Sequence, residues 1–120
     1  PPAYYINKGH ELANKNGVSF FMTTSPEEAV RDVDVIVTDV WASMGQEEEC
    51  DKRRIDFDGY QVNKKLLTLA KEDTIVLHCL PAHRGEEITN EILEAHADTI
   101  FEEAENRLHA QKAVLVKLLK

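Results

Sequence analysis

No apolar run in this chain approaches the roughly 20 residues needed to cross a bilayer, and no segment has the layout of a signal peptide. Neither membrane insertion nor secretion is therefore expected. Basic residues are in deficit: 14 Lys and Arg against 22 Asp and Glu give a formal net charge of -8. That balance argues against nonspecific nucleic-acid binding, which depends on neutralising phosphates. An anionic small ligand remains open, because local positive charge and backbone amides decide that case. Cysteine is scarce too, with Cys50 in a charged run and Cys79 at the end of an apolar one. Their dissimilar settings point away from a disulfide framework and toward a reducing, cytoplasmic compartment. Internal repeats, low-complexity tracts and an evident linker are also missing.

What is present is a folding composition. The 120 residues are 42% hydrophobic and 30% charged, which predicts one domain spanning residues 1–120 with a core of ordinary size. The opening "PPAYYINKGHELANKNG" has neither an initiator methionine nor a strand ahead of its helical pattern, so a piece of a longer protein is expected.

Tyr5, Gly9, Leu12 and Ala13 follow helical spacing, and Asn16-Gly17 supply a stop. Residues 18–22 read as a short strand. In "SPEE", Ser25 can cap a brief helix, Pro26 suits its first position and Glu28 can complete a capping box. "DVIVTDV", residues 34–40, is the β-branched run of a strand covered on both faces. One face of a helix is marked by Val62, Leu66, Leu69 and Ala70 between residues 60 and 70, and "TIVLHCL" is a second buried strand stopped by Pro81. A helix over 87–95, a short strand over 98–101 and a long last helix carrying Ala104, Leu108, Leu115 and Leu118 follow. This alternation predicts an α/β fold of Rossmann-like type, a parallel sheet flanked by helices on both faces.

Ligands of such sheets bind beyond the carboxyl ends of the strands. "TDVWASMG", "HCLPAHRG" and "EEAENR" all leave strand ends in this reading, so three chemically rich segments gather on one edge. Asp39 at a strand tip can hold an ammonium group, although aspartate is also a common turn or cap residue. Ser43, Met44 and Gly45 offer a hydroxyl, backbone amides and a close approach for a carboxylate; Met44 could equally pack in the core, and Trp41 reads as a packing residue. Cys79 is either a small buried hydrophobe or a thiol facing substrate. A cis Leu80–Pro81 bond would turn the carbonyl of Leu80 toward the pocket, and most X–Pro bonds are trans. Direct activation of Cys79 by His78 is disfavoured because adjacent strand residues face opposite ways. His83 and Arg84 suit either an anion or solvent. The Cys and His spacing fits no common zinc pattern. Arg107, read as lying near the start of the last helix, is either an anion clamp or the ion-pair partner of Glu103.

Taken in order, "TDVWASMGQEEE", "GYQVN", "HCLPAHRGEEI" and "FEEAENRLHAQKAVL" resemble the carboxyl-terminal part of the ornithine carbamoyltransferase family over most of the chain. "HCLP" together with "DVW-SMG" is the specific combination; aspartate carbamoyltransferases lack the cysteine segment, and putrescine carbamoyltransferases carry another loop in place of "SMG". The resemblance implies transfer of a carbamoyl group from carbamoyl phosphate to the side-chain amine of L-ornithine, with no metal or organic cofactor. It implies that Asp39, Ser43 and Met44 hold the amino-acid end of ornithine, that Cys79 and Leu80 lie at the reacting centre, and that Arg107 contacts carbamoyl phosphate. On this basis Cys79 and Asp39 are the catalytic candidates.

The family's Ser-Thr-Arg-Thr and His-Pro-Thr-Gln segments, which bind carbamoyl phosphate in an amino-terminal domain, do not occur in this sequence. Nor does the asparagine-rich segment after the first strand of the ornithine domain. The resemblance therefore implies part of an ornithine-binding domain, inactive by itself, whose intact form pairs with a carbamoyl-phosphate domain and assembles as a trimer or larger. Two other readings stay open: a noncatalytic ligand-binding or interaction module of the same fold, and a carbamoyltransferase for a related amine such as putrescine.

Overall fold

The computed structural model describes residues 1–42 and 50–119. The first helix, α1 (Ala3–Asn16), ends where expected: Gly17 adopts the left-handed conformation, φ 66°, and the amide of Val18 donates to the carbonyl of Ala13 at 3.0 Å. A short α2 (Pro26–Ala29) is capped by Ser25, whose Oγ accepts from the Glu28 amide at 3.2 Å. The reciprocal half of the capping box is replaced by a relay through Thr23. Its hydroxyl donates to Glu28 Oε2 at 2.6 Å and accepts from the Ser25 amide at 3.1 Å.

Strands β1 (Val35–Thr38) and β2 (Ile75–His78) pair in parallel, Val35 beside Ile75 and Thr38 beside His78. Between them lie α3 (Cys50–Asp56) and α4 (Lys64–Leu67), the latter capped by Asn63, whose Oδ1 accepts from the Leu66 amide at 3.0 Å. Beyond β2 come α5 (Asn90–Ala95), capped by Thr89, and the long α6 (Ala97–Leu118), which packs along β2. The parallel sheet with helices expected from the sequence is thus present, as a two-stranded sheet among the described residues.

Four sequence-based expectations change. Residues 18–22 form no strand; Val18 and Phe21 are exposed, and no ladder among the described residues takes up their backbone. The helix expected over 60–70 shrinks to α4, and the one over 87–95 starts only at Asn90, for one shared reason. Val62 and Ile88 form a parallel bridge, with the Val62 amide on Glu87 O at 2.8 Å and the Thr89 amide on Val62 O at 3.1 Å. Those backbone groups bond sideways and are unavailable to a helix. Finally, residues 98–101 belong to α6. Asp98 suits the positive end of that helix, and the Thr99 hydroxyl bonds back to His96 O at 2.9 Å as well as across to Val76 O at 3.3 Å.

One cluster forms the core: Val30, Ile36, Val62, Leu66, Val76, Ile88, Ile92, Leu93 and Ile100. Only one face of the sheet is sealed by it. Ile36, Val76 and His78 are buried, whereas Val37 on the other face is 69% exposed. The β-branched run of β1 is therefore covered on one side, not on both.

Candidate active site

The strand register determines what meets at the sheet edge. Thr38 stands beside His78, so the next residues, Asp39 and Cys79, are also neighbours. Because side chains alternate, they face away from the buried side that takes Ile36, Val76 and His78. The Cys79 thiol donates to Asp39 Oδ1 at 3.4 Å, and the same oxygen accepts from the Val40 amide at 2.8 Å. Cys79 is half-buried and Asp39 exposed, which leaves the pair within reach of a solute.

Burial pushes the Cys79 thiol above its ordinary range; the hydrogen bond to Asp39, that carboxylate's charge and the charge of Glu103 act in the same direction, while Arg107 pulls it back. The thiol at neutral pH is consequently protonated, a hydrogen-bond donor and not a standing thiolate. Arg107 is the smallest of the influences on this thiol. Arg107 is exposed and has no hydrogen bond or ion pair among the described residues. It does not sit near a helix start. With α6 beginning at Ala97, Arg107 lies about 15 Å along the axis, beyond the first turn in which helix-end amides attract anions.

Leu80 follows with φ 55° and a cis bond to Pro81. Its amide donates to His78 Nδ1 at 3.0 Å. The ring proton of His78 therefore sits on Nε2, which lies 3.1 Å from Glu87 Oε1. That oxygen also accepts from the His83 amide at 2.6 Å. Both side chains of the His78–Glu87 pair are wholly buried. The sequence disfavours His78 as an activator of Cys79, and His78 does face the buried side; Glu87 as its partner was missed. The available signal was a histidine on a strand's buried face, which needs a polar partner, with an acid nine residues on.

The remaining candidates separate. Ser43 and Met44, with Gly45, lie outside the described residues. Trp41 stacks on Phe57 with ring centroids 6.1 Å apart, the packing role expected of it. Arg84 is engaged by Asn90 and Glu94, whereas His83 is exposed. A cavity of about 310 Å³ opens beside Asp39, its lining including Val37, Thr38, Trp41, Phe57 and Tyr60 but not Cys79. Among the described residues, two donor groups are compact enough to hold a cation, Asp39 with His78 and Cys79, and His83 with Glu86 and Glu87. In the first, both His78 nitrogens already carry hydrogen bonds; in the second, Glu86 is bonded by Arg54 at 2.6 Å.

Comparison with known proteins identifies the family. The family model described as aspartate/ornithine carbamoyltransferase, Asp/Orn binding domain, matches residues 1–118. The chain is 54% identical over 119 residues to the ornithine carbamoyltransferase of Archaeoglobus fulgidus, covering 99% of this chain and 38% of that protein. With the ornithine carbamoyltransferase of Caldicellulosiruptor saccharolyticus it shares 51% over 121 residues, covering 97% of this chain and 39% of that protein. Among solved structures, the anabolic ornithine carbamoyltransferase of Campylobacter jejuni superposes with a TM-score of 0.89 at 42% identity, covering 98% of this chain and 39% of that one. The chain thus spans under two fifths of the length of these relatives. It belongs to the aspartate/ornithine carbamoyltransferase family and corresponds to that family's Asp/Orn-binding domain.

Proposed function

We propose that this chain is the ornithine-binding portion of an ornithine carbamoyltransferase. The intact enzyme transfers the carbamoyl group of carbamoyl phosphate to the side-chain amine of L-ornithine, giving citrulline and phosphate. The observation that carries the reading is the Cys79–Asp39 contact at adjacent strand tips, in a chain 51% and 54% identical to curated ornithine carbamoyltransferases.

The chemistry asks for an amine with a free lone pair, and ornithine arrives as an ammonium. The Asp39 carboxylate can take the proton that the ammonium loses, either directly or through the thiol, which passes its own proton to Asp39 as the sulfur accepts the amine's, and the freed lone pair is aimed at the carbamoyl carbon. A protonated thiol bonded to a carboxylate fits orientation and proton handling better than formation of an acyl-cysteine. Arg107, free of ion pairs among the described residues, is available to the phosphate or carbonyl oxygens of carbamoyl phosphate. Asp39, Ser43 and Met44 hold the amino-acid end, and Leu80 lines the reacting centre.

The chain is one domain, completed in the intact enzyme by an amino-terminal carbamoyl-phosphate domain and assembled as a trimer or larger in the cytoplasm. The reaction requires no cofactor. No helix among the described residues is long and apolar enough to cross a membrane. The test is citrulline release from ornithine and carbamoyl phosphate: the complete protein produces it and residues 1–120 alone do not. A complete protein that binds ornithine without turnover would instead establish a noncatalytic module.

A further inference from the structure

We propose that His78 and Glu87 are a buried positioning pair that holds the Cys79–Leu80 peptide in place at the substrate site. The proposal rests on the reading above, in which Cys79 and Leu80 line the reacting centre. Leu80 has a positive φ of 55°, a conformation that a side-chain-bearing residue keeps only when its surroundings fix it. The fixing contact is the 3.0 Å bond from its amide to His78 Nδ1. His78 is held in turn by Glu87 Oε1 at 3.1 Å, and that oxygen is tied at 2.6 Å to the amide of His83. One carboxylate oxygen therefore links the end of β2 to the far side of the turn that carries Cys79, Leu80, Pro81 and Ala82.

Stability alone does not account for this arrangement. His78 and Glu87 are both completely buried, and Glu87 Oε2 has no hydrogen-bond partner among the described residues. Enclosing a carboxylate with an unpartnered oxygen costs folding free energy, and a packed apolar pair of similar volume would avoid that cost. What the polar pair gains is direction. An acceptor at Nδ1 faces one amide and a donor at Nε2 faces one acid, so the imidazole can occupy only one orientation and tautomer.

The two ring nitrogens can be tested separately in the complete enzyme. His78→Asn keeps an acceptor near the Nδ1 position and loses the bond to Glu87. His78→Gln keeps a donor near Nε2 and leaves the Leu80 amide without its partner. The expected result is a kcat for His78→Gln lowered roughly 10- to 100-fold, in the range that small misplacements of reacting groups cost, with KM for ornithine changed much less. His78→Asn should lower kcat clearly less than His78→Gln, because it keeps an acceptor for the Leu80 amide while losing the tie to Glu87. Equal losses in both variants, or losses that simply follow their melting temperatures, would overturn the positioning role.

A second measurement needs neither a variant nor activity. Nitrogen-15 spectra of the wild-type enzyme labelled in histidine should show His78 as the Nε2-protonated tautomer, and an Nδ1-protonated ring would refute the proposal even if folding defeats both variants. Wild-type enzyme that makes no citrulline but shows the Nε2-protonated ring would count against the carbamoyl-transfer reading and leave the buried relay standing.

Discussion

Cys79 Sγ lies 3.4 Å from Asp39 Oδ1 although forty positions separate the two residues in sequence. The parallel register of β1 and β2 creates the contact, because a pairing that ends at Thr38 and His78 brings the next two side chains together on the open face. A slip of one residue would turn either group into the core.

Burial first, and this contact second, set the titration of the thiol. Burial and the Asp39 carboxylate hold Cys79 above its ordinary range, so alkylation by iodoacetamide, which consumes the thiolate, should lag behind that of an unperturbed cysteine until the solution is well alkaline. Asp39→Asn removes the charge and weakens the acceptor, lowering the thiol and speeding alkylation at pH 8 several-fold. Peptide mass spectrometry separates Cys79 from Cys50. For stability the sign follows: a raised folded-state value favours the folded chain below the ordinary thiol value, and that contribution is lost as pH climbs through the raised one. An unchanged alkylation rate in Asp39→Asn would mean that the carboxylate does not govern the thiol.

Arg107 is expected to act on the phosphate-bearing substrate. Arg107→Ala in the complete enzyme should raise KM for carbamoyl phosphate about 10- to 100-fold, the equivalent of one or two charge-assisted hydrogen bonds. Its KM for ornithine should move little. Steady-state titration of each substrate separates the two, and a rise confined to ornithine would place Arg107 elsewhere.

The proposed function gives the segment from Ser43 to Gly45 a part in amine choice. A site that satisfies a carboxylate with a hydroxyl and backbone amides leaves those groups unpaired when the carboxylate is missing, so kcat/KM for ornithine should exceed that for putrescine by at least about 100-fold. Equal values in a competition assay would remove the carboxylate-cradling role.

The core makes its own prediction. Ile88 is fully buried within the central cluster and adjoins the Val62 bridge. Ile88→Ala should cost about 3 kcal/mol and Ile88→Val about 1 kcal/mol, read as a graded fall in the melting temperature. A flat response would show that this cluster does not hold the fold.

Much of the fold is legible in the sequence because its signals are local. Gly17 ends α1, Ser25 and Pro26 start α2, and two β-branched runs become β1 and β2. The errors occur where a distant partner decides. Val62 and Ile88 sit in helical patterns, yet they bond to each other across the fold. Residues 98–101 have β-branched character, yet they join α6, with Thr99 bonding back to His96. The site shows the same division. Asp39 and Cys79 can be found because strand tips in parallel sheets are where ligands bind. Glu87 is harder to pick out: a histidine on a strand's buried face calls for a polar partner, but nothing in "HRGEEI" says that Glu87 and not the half-buried Glu86 is the enclosed one.

The most direct measurement is citrulline formation by the complete enzyme with Cys79→Ala set beside wild type, together with the melting temperature of each. The account predicts turnover lowered roughly 100-fold, the lower end of what a placed proton-handling group contributes, with melting temperatures within a few degrees. Turnover equal to wild type would contradict it and take the thiol out of the reaction.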